Sequence, residues 1–223
     1  MGEVCMDTEG TSVKMNKKEL VRKKNQTLLL DAAEALFSTL GYDRTSVSLI
    51  AAKAKVPKAN VLYYFKNKEN LYSAVLERIM SGWGVGLVDL SAEDEPAQAL
   101  YQYIRFKVRV SCEFPAQSRL FTTEIIRGAP HLGAHLREQT RPWFRNIITV
   151  IQAWIDAGKI RPVDPSHLLY MIWSSTQYYA DYQTEVFILE NKLEYEDSDI
   201  ESITQSISKV ILTGLGLEVP ELN

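Results

Sequence analysis

The chain has 223 residues, 46% of them hydrophobic and 24% charged, which suits a globular protein with a substantial core of its own. No apolar run approaches the roughly 20 residues of a membrane span, no apolar segment follows the N-terminal charges as in a secretory signal, and Cys5 and Cys112 stand alone without a CxxC pair. These features argue against a membrane protein, a disulfide scaffold and a cysteine-rich zinc site, and the expected location is the cytoplasm.

The net charge of -3 conceals a segregation. Residues 14–72 carry 12 Lys/Arg against 5 Asp/Glu, whereas residues 73–223 carry 13 against 20. A basic head on an acidic body points to a polyanionic partner for the head.

In chain order, residues 1–19 are expected to be a disordered, basic N-terminal arm, whose positive charge continues through Arg22, Lys23 and Lys24. Leu29, Ala33, Leu36, Phe37 and Leu40 recur at helical spacing, and Gly41 stops that helix. Thr45 or Ser46 can cap a second helix with Val47, Ile50 and Ala51 inward. Lys55-Val56 forms a turn, and Pro57 suits the first position of a third helix ending near Phe65. Asn67 is placed to cap a long fourth helix through Leu71, Val75, Ile79 and Trp83, which Gly82, Gly84 and Gly86 interrupt. Further helical segments are expected at 96–113, 115–127, 131–157 (split or kinked at Pro142), 165–190 and 198–214. Nothing alternates in the manner of strands. The expected fold is all-α, with a three-helix helix-turn-helix head over 20–66 and a helical bundle over 67–223.

The second and third helices have the layout of a DNA reader. Lys58, Ala59 and Asn60 occupy the N-terminal half of the reading helix, where Lys58 can donate to guanine and Asn60 can pair with adenine. Tyr63 and Tyr64 can reach phosphates or a thymine methyl, Thr45 and Ser46 lie at the second helix's start, and Lys68 sits at a helix N-terminus suited to phosphate. Phe65 fits better as a core aromatic of the head, and Tyr64 can serve the same end.

Gly41-Tyr42, Thr45-Ser-Val47, Ile50-Ala51, Ala54, Val56, Val61, Tyr64-Phe65 and Lys68-Glu-Asn-Leu71 resemble the head pattern of the TetR family of bacterial regulators. Lys55 stands where that pattern has a turn glycine, Pro57 where it has serine and Leu62 where it has tyrosine. Lys55 is therefore expected at positive φ with about 1 kcal/mol of strain, and Leu62 lacks the hydroxyl through which the family's tyrosine often touches phosphate. The resemblance implies a homodimer on double-stranded operator DNA, a small-molecule effector in the body, and repression. It also implies a four-helix dimer interface from the last two long helices. The stripe Ile200, Ile203, Ile207, Val210 and Ile211 suits that interface, and equally suits a monomer core.

Asn60-Val-Leu-Tyr-Tyr-Phe65, Phe114-Pro-Ala-Gln-Ser-Arg-Leu-Phe121, Gly128-Ala-Pro130, Ile160-Arg-Pro-Val-Asp-Pro165 and Met171-Ile-Trp-Ser-Ser-Thr-Gln-Tyr-Tyr-Ala-Asp181 resemble a narrower branch of that family, the regulators of pyrimidine utilisation. This resemblance implies uracil or thymine as effector, with Trp83, Trp173 and Gln177 at its site. The residue types are compatible. Trp83 and Trp173 offer aromatic faces and an indole donor, Gln177 lies one turn after Trp173 with donor and acceptor, and Asp181 lies one turn further. Packing tryptophans and a satisfied core amide would look the same in sequence. Arg127, Arg137, Arg141 and Arg145 could instead receive an anion. His131 and His135 have the spacing of a metal pair, but Gly133 lies between them and no third ligand is evident, so no metal or cofactor is expected. No Ser/His/Asp order, phosphate-binding loop or dinucleotide fingerprint occurs, and the Glu-x-x-His repeats of a di-iron bundle enzyme are missing.

Overall fold

Gly41 breaks the first helix as its backbone freedom allows, at φ 77° and ψ 168°, a region that L side chains rarely adopt. In the computed structural model, which describes residues 17–84 and 90–220, α1 spans Lys17–Arg44 with that kink near its end. Residues 17–19, expected in a disordered arm, are therefore helical backbone, and Arg22, Lys23 and Lys24 stand exposed on the same helix. Residues 1–16 of that arm, and Gly86, lie outside the described residues.

The head continues with α2 (Val47–Lys53), α3 (Lys58–Phe65) and α4 (Lys68–Gly84). Ser46 caps α2, its hydroxyl accepting from the N–H of Leu49 at 3.2 Å. Lys55 adopts φ 55° at the turn, as its replacement of a glycine implied, and Pro57 caps α3 from the residue before its first turn. The Asn67 side chain accepts from the N–H of Asn70 at 2.7 Å and starts α4.

The body holds α5 (Pro96–Glu113), α6 (Pro115–Ile126) and α7 (Gly133–His135). A single π-turn, Leu136–Thr140, follows, and then come α8 (Arg141–Asp156), α9 (Pro165–Asp181), α10 (Gln183–Glu190) and α11 (Asp197–Gly214). Prolines open α5, α6 and α9, where a missing N–H costs nothing. The Asp164 carboxylate caps α9 by accepting from the N–H groups of Ser166 and His167. The break in the segment 131–157 is the π-turn, with Pro142 in the first turn of the helix after it.

Residues 165–190 are two helices, because side chains of α6 hold the end of α9. Arg119 donates to the Ala180 carbonyl at 3.1 Å, and Ser118 and Thr122 donate to the Asp181 carboxylate at 2.8 and 2.7 Å. A carbonyl engaged in this way no longer needs the next helical N–H, and the chain turns at Tyr182.

Two cores result. Ile104, Ile151, Trp154, Leu169, Ile172 and Leu212 centre the body, with α5 packed along both α9 and α11. Leu29, Phe37, Ile50, Val61, Leu71 and Leu76 centre the head, but Leu120 of α6 and Leu132 belong to that same core. Packing thus crosses the boundary expected between residues 66 and 67. Polar ties reinforce the joint: Arg78 of α4 clamps Asp31 and Glu34 of α1 at 2.6 and 2.5 Å, and Gln117 of α6 donates to Glu34 at 2.8 Å. The stripe on α11 divides. Ile200, Ile207 and Ile211 are buried in the body core, while Val210 is 76% exposed.

Candidate DNA interface and effector cavity

The N-termini of α2 and α4 open onto one shallow surface groove beside α3. Arg44, Lys58, Lys66 and Lys68 border it, against Asp43 alone among the acids. Two helix N-termini and four cations around one groove make an anion-binding surface. Lys58 and Ala59 are exposed at the start of α3, Asn60 is half-buried beside them, and Tyr63 is 77% exposed. Ser46 is exposed at its cap.

Three of the expected DNA residues are engaged inside the head. Thr45 is buried, and its hydroxyl donates to the Gly41 carbonyl at 2.8 Å, closing the end of α1. Tyr64 is half-buried against the head core, with Asn25 donating to its hydroxyl at 3.4 Å. The Lys68 ammonium donates to the Tyr42 carbonyl at 3.0 Å and lies 4.1 Å from the centre of the Tyr42 ring. It keeps two further N–H donors for the groove.

At the other end of α4 lies an apolar cavity of about 300 Å³ walled by α4, α5, α6, the α7 and π-turn segment, α8 and α9. Trp83, Trp173 and Gln177 all line it. The two tryptophans are unlike in their hydrogen bonds. The Trp173 indole donates to the Tyr103 hydroxyl at 2.6 Å, so only its face is available. The Trp83 indole nitrogen is buried without a partner, as are the Trp143 indole nitrogen and His135 Nδ1, and all three residues line the cavity. Buried polar atoms without partners are rare in native proteins, and their clustering around one cavity marks it as a place where something polar belongs. Trp143 stacks on Trp173 at 6.4 Å with 16° between planes, and Phe121 meets Trp83 edge-on at 5.0 Å, so the aromatic walls are braced.

Asp181 does not face the cavity. It lies one turn beyond Gln177, yet its carboxylate is held by Ser118 and Thr122 of α6. The residue that the sequence reading missed is Lys107. It lines the cavity 5% exposed, with its ammonium 4.8 Å from the centre of the Trp83 ring. Burial pushes its pKa down to about 8, and the charge of Asp181 pulls it partly back. The signal was available: Tyr103, Ile104, Lys107, Val108 and Ser111 share the helical period of one face, so a lysine stood in a core position.

Two of the weaker candidates, His131 and Arg127, have structural partners. His131 is tilted over the Tyr42 ring and faces the Glu124 carboxylate at 3.3 Å, and Arg127 pairs with Asp43 at 3.3 Å. Among the described residues, no helix is long and apolar enough to cross a membrane.

Residues 29–75 match the family described as bacterial regulatory proteins of the tetR family, and residues 76–218 match the YcdC-like protein C-terminal region. The chain is 34% identical over 208 residues to the HTH-type transcriptional regulator RutR of Escherichia coli K12, covering 93% of this chain and 98% of that protein. A Clostridium perfringens putative fatty acid metabolism regulator superposes with TM-score 0.65 at 25% identity, over 86% of this chain and 100% of the other. AibR, solved in complex with isovaleryl coenzyme A and operator DNA, shares the fold with TM-score 0.63 at 17% identity, over 83% and 97% of the two chains. A basic helix-turn-helix head packed on a helical body with an internal cavity, in a chain matched by the family along nearly its whole length, places the protein in the TetR family of DNA-binding transcriptional regulators.

Proposed function

We propose that the protein is a cytoplasmic, homodimeric repressor whose effector is a pyrimidine such as uracil or thymine. In this reading the head over residues 20–66 binds the operator, and residues 67–223 bind the effector and dimerise. The observation that carries the reading is the cavity itself. Its volume of about 300 Å³ is small for a ligand site and suits a single flat ring. Trp83 and Trp173 supply faces, and Gln177 supplies an amide whose donor and acceptor match an edge of alternating N–H and C=O groups. The resemblance of Met171–Asp181 to the pyrimidine-utilisation branch supports the same ligand.

The coupling follows from α4. Lys68 and Trp83 stand near its two ends, about 22 Å apart at 1.5 Å per residue. One helix thus touches the DNA groove at one end and the cavity at the other. A ligand that binds better when the Trp83 end is drawn inward shifts the heads away from the DNA-competent spacing, by no more than its difference in affinity for the two arrangements.

Calorimetry with uracil, thymine and cytosine tests the effector. Wild type is expected to give binding heat with uracil or thymine, and Gln177→Ala, still folded, is expected to lose at least tenfold in affinity. A folded, DNA-competent wild type with no heat from either ligand would sink the pyrimidine reading.

The dimer uses the outer face of α9 and α11. Met171, Ser174, Ser206, Val210 and Gly214 line a groove there, whose small residues permit close approach of a second copy. Val210→Glu places a charge in that contact and is expected to convert dimer to monomer in sedimentation at micromolar concentration. An unchanged dimer would move the interface elsewhere.

A further inference from the structure

We propose that Lys107 selects the effector: it makes the cavity bind a planar ligand that turns a carbonyl or anionic oxygen toward α5, and it rejects one that turns an amino group there. The proposal rests on the reading of this cavity as the effector site.

Around Lys107 the cavity offers buried donors that meet no protein acceptor. The ammonium of Lys107 has three N–H donors and no acceptor. Its neighbour in the fold is the Trp83 ring, and no hydrogen bond or ion pair holds it among the described residues. Asp181 is the carboxylate whose charge it feels, but both Asp181 oxygens are taken, one by Ser118 and one by Thr122. The indole N–H groups of Trp83 and Trp143 add two more donors without partners. Among the lining residues, Tyr103 already accepts from Trp173, acceptors remain on Ser81, Gln139, Thr140 and Gln177, and His135 Nδ1 can serve as donor or acceptor according to tautomer. A desolvated cation without an acceptor is unfavourable, so a ligand gains most by supplying the oxygen that the protein withholds.

This ordering discriminates within one ring system. Uracil and thymine present two carbonyl oxygens flanking an N–H. Cytosine replaces one of those oxygens by an amino group, which would set donor against donor at Lys107 and leave the ammonium unsatisfied. A site with a buried polar group left unpaired rejects a ligand more strongly than one that merely misses an apolar contact.

Binding should also take up protons. The ionisable groups around Lys107 are Asp181 from α9, Tyr103 on its own helix and His135 from α7. Burial raises the Tyr103 phenol above its ordinary value, so it stays neutral. Burial holds Lys107 near 8, so at pH 8 about half of the free protein carries the charge. A ligand oxygen on the ammonium favours the charged form, so binding draws a proton onto the remaining half. If only the charged form binds, affinity falls about fourfold from pH 7 to pH 8.5.

The experiment is calorimetry with uracil and cytosine, on wild type, Lys107→Met and His135→Gln, at pH 7 and 8.5. It is repeated at pH 8 in two buffers of different ionisation heat. The expected wild type prefers uracil by more than tenfold, takes up about half a proton at pH 8 and weakens about fourfold by pH 8.5. His135→Gln should keep the proton uptake. Lys107→Met, checked for fold by circular dichroism, should lose at least tenfold in uracil affinity, its pH dependence and its preference over cytosine. Uracil binding with no proton uptake, or with unchanged preference in Lys107→Met, overturns the inference and leaves the pyrimidine reading standing. If neither uracil nor thymine gives heat, that reading fails alone, and thermal shift with benzoate and benzylamine puts the same question to Lys107. Benzoate should stabilise wild type more than benzylamine does, and Lys107→Met should abolish the difference. Equal shifts, or none, overturn the inference.

Discussion

Glu124→Ala is expected to cost about 3–5 kcal/mol of stability, among the largest losses available from one polar side chain. The Glu124 carboxylate is buried under the turn between α6 and α7. It accepts from the N–H groups of His131 and Leu132 at 2.6 and 3.3 Å and faces His131 Nδ1 at 3.3 Å. Burial together with the nearby Glu124 carboxylate pushes the phenol of Tyr72 on α4 up. Removing that carboxylate leaves the donors of the turn at His131 and Leu132 without acceptors, each worth about 1–3 kcal/mol, and opens a void beneath them. Because Leu132 packs into the head core, the loss should also loosen the joint between head and body. Urea unfolding of wild type, Glu124→Ala and Glu124→Gln measures the effect, and the glutamine should retain part of it because its carbonyl still accepts. A loss below about 1 kcal/mol would mean that the turn is held by packing alone.

The second large effect is on DNA. Lys58→Ala and Asn60→Ala are each expected to cost about 1–3 kcal/mol on an operator selected from random DNA, and to relax preference at one base position. Together they should come close to abolishing the difference between operator and random sequence. The motive is their place at the start of α3, beside the groove bordered by Arg44, Lys66 and Lys68. Lys68→Ala should act differently. Its ammonium already braces Tyr42, so its loss should weaken all sequences alike and flatten the dependence of binding on salt. Titrations at two salt concentrations separate the two kinds of loss. Equal operator affinity in the Lys58/Asn60 double variant would remove α3 as the reader.

Much of this protein is legible in its chain, and the reasons are local. Pro96, Pro115 and Pro165 begin helices because proline suits a first turn, so the expected starts of those helices agree with the structure. Ser46 and Asn67 cap α2 and α4 through bonds that span only three residues. Trp173 and Gln177 share one side of α9 because four residues make about one turn, and both reach the cavity. The strain at Lys55 followed from a lysine in place of a turn glycine.

What the chain left open depends on which element packs against each face. A helical period marks an apolar face but not its partner, so only the tertiary structure shows that Ile200, Ile207 and Ile211 on α11 pack into the body core while Val210 stays exposed. Asp181 keeps step with Gln177 along α9, but Ser118 and Thr122, some 60 residues earlier, turn its carboxylate away from the cavity. Arg119 reaches the same helix end, and α9 stops where periodicity alone would have continued it. Thr45 and Tyr64 have the chemistry of DNA contacts, and the fold also engages their hydroxyls with the Gly41 carbonyl and the Asn25 amide. Lys107 shows the limit most directly. Its place on the apolar side of α5 was readable, whereas its burial beside Trp83 without an acceptor required α4, α5 and α9 to converge, because desolvation depends on every neighbour at once.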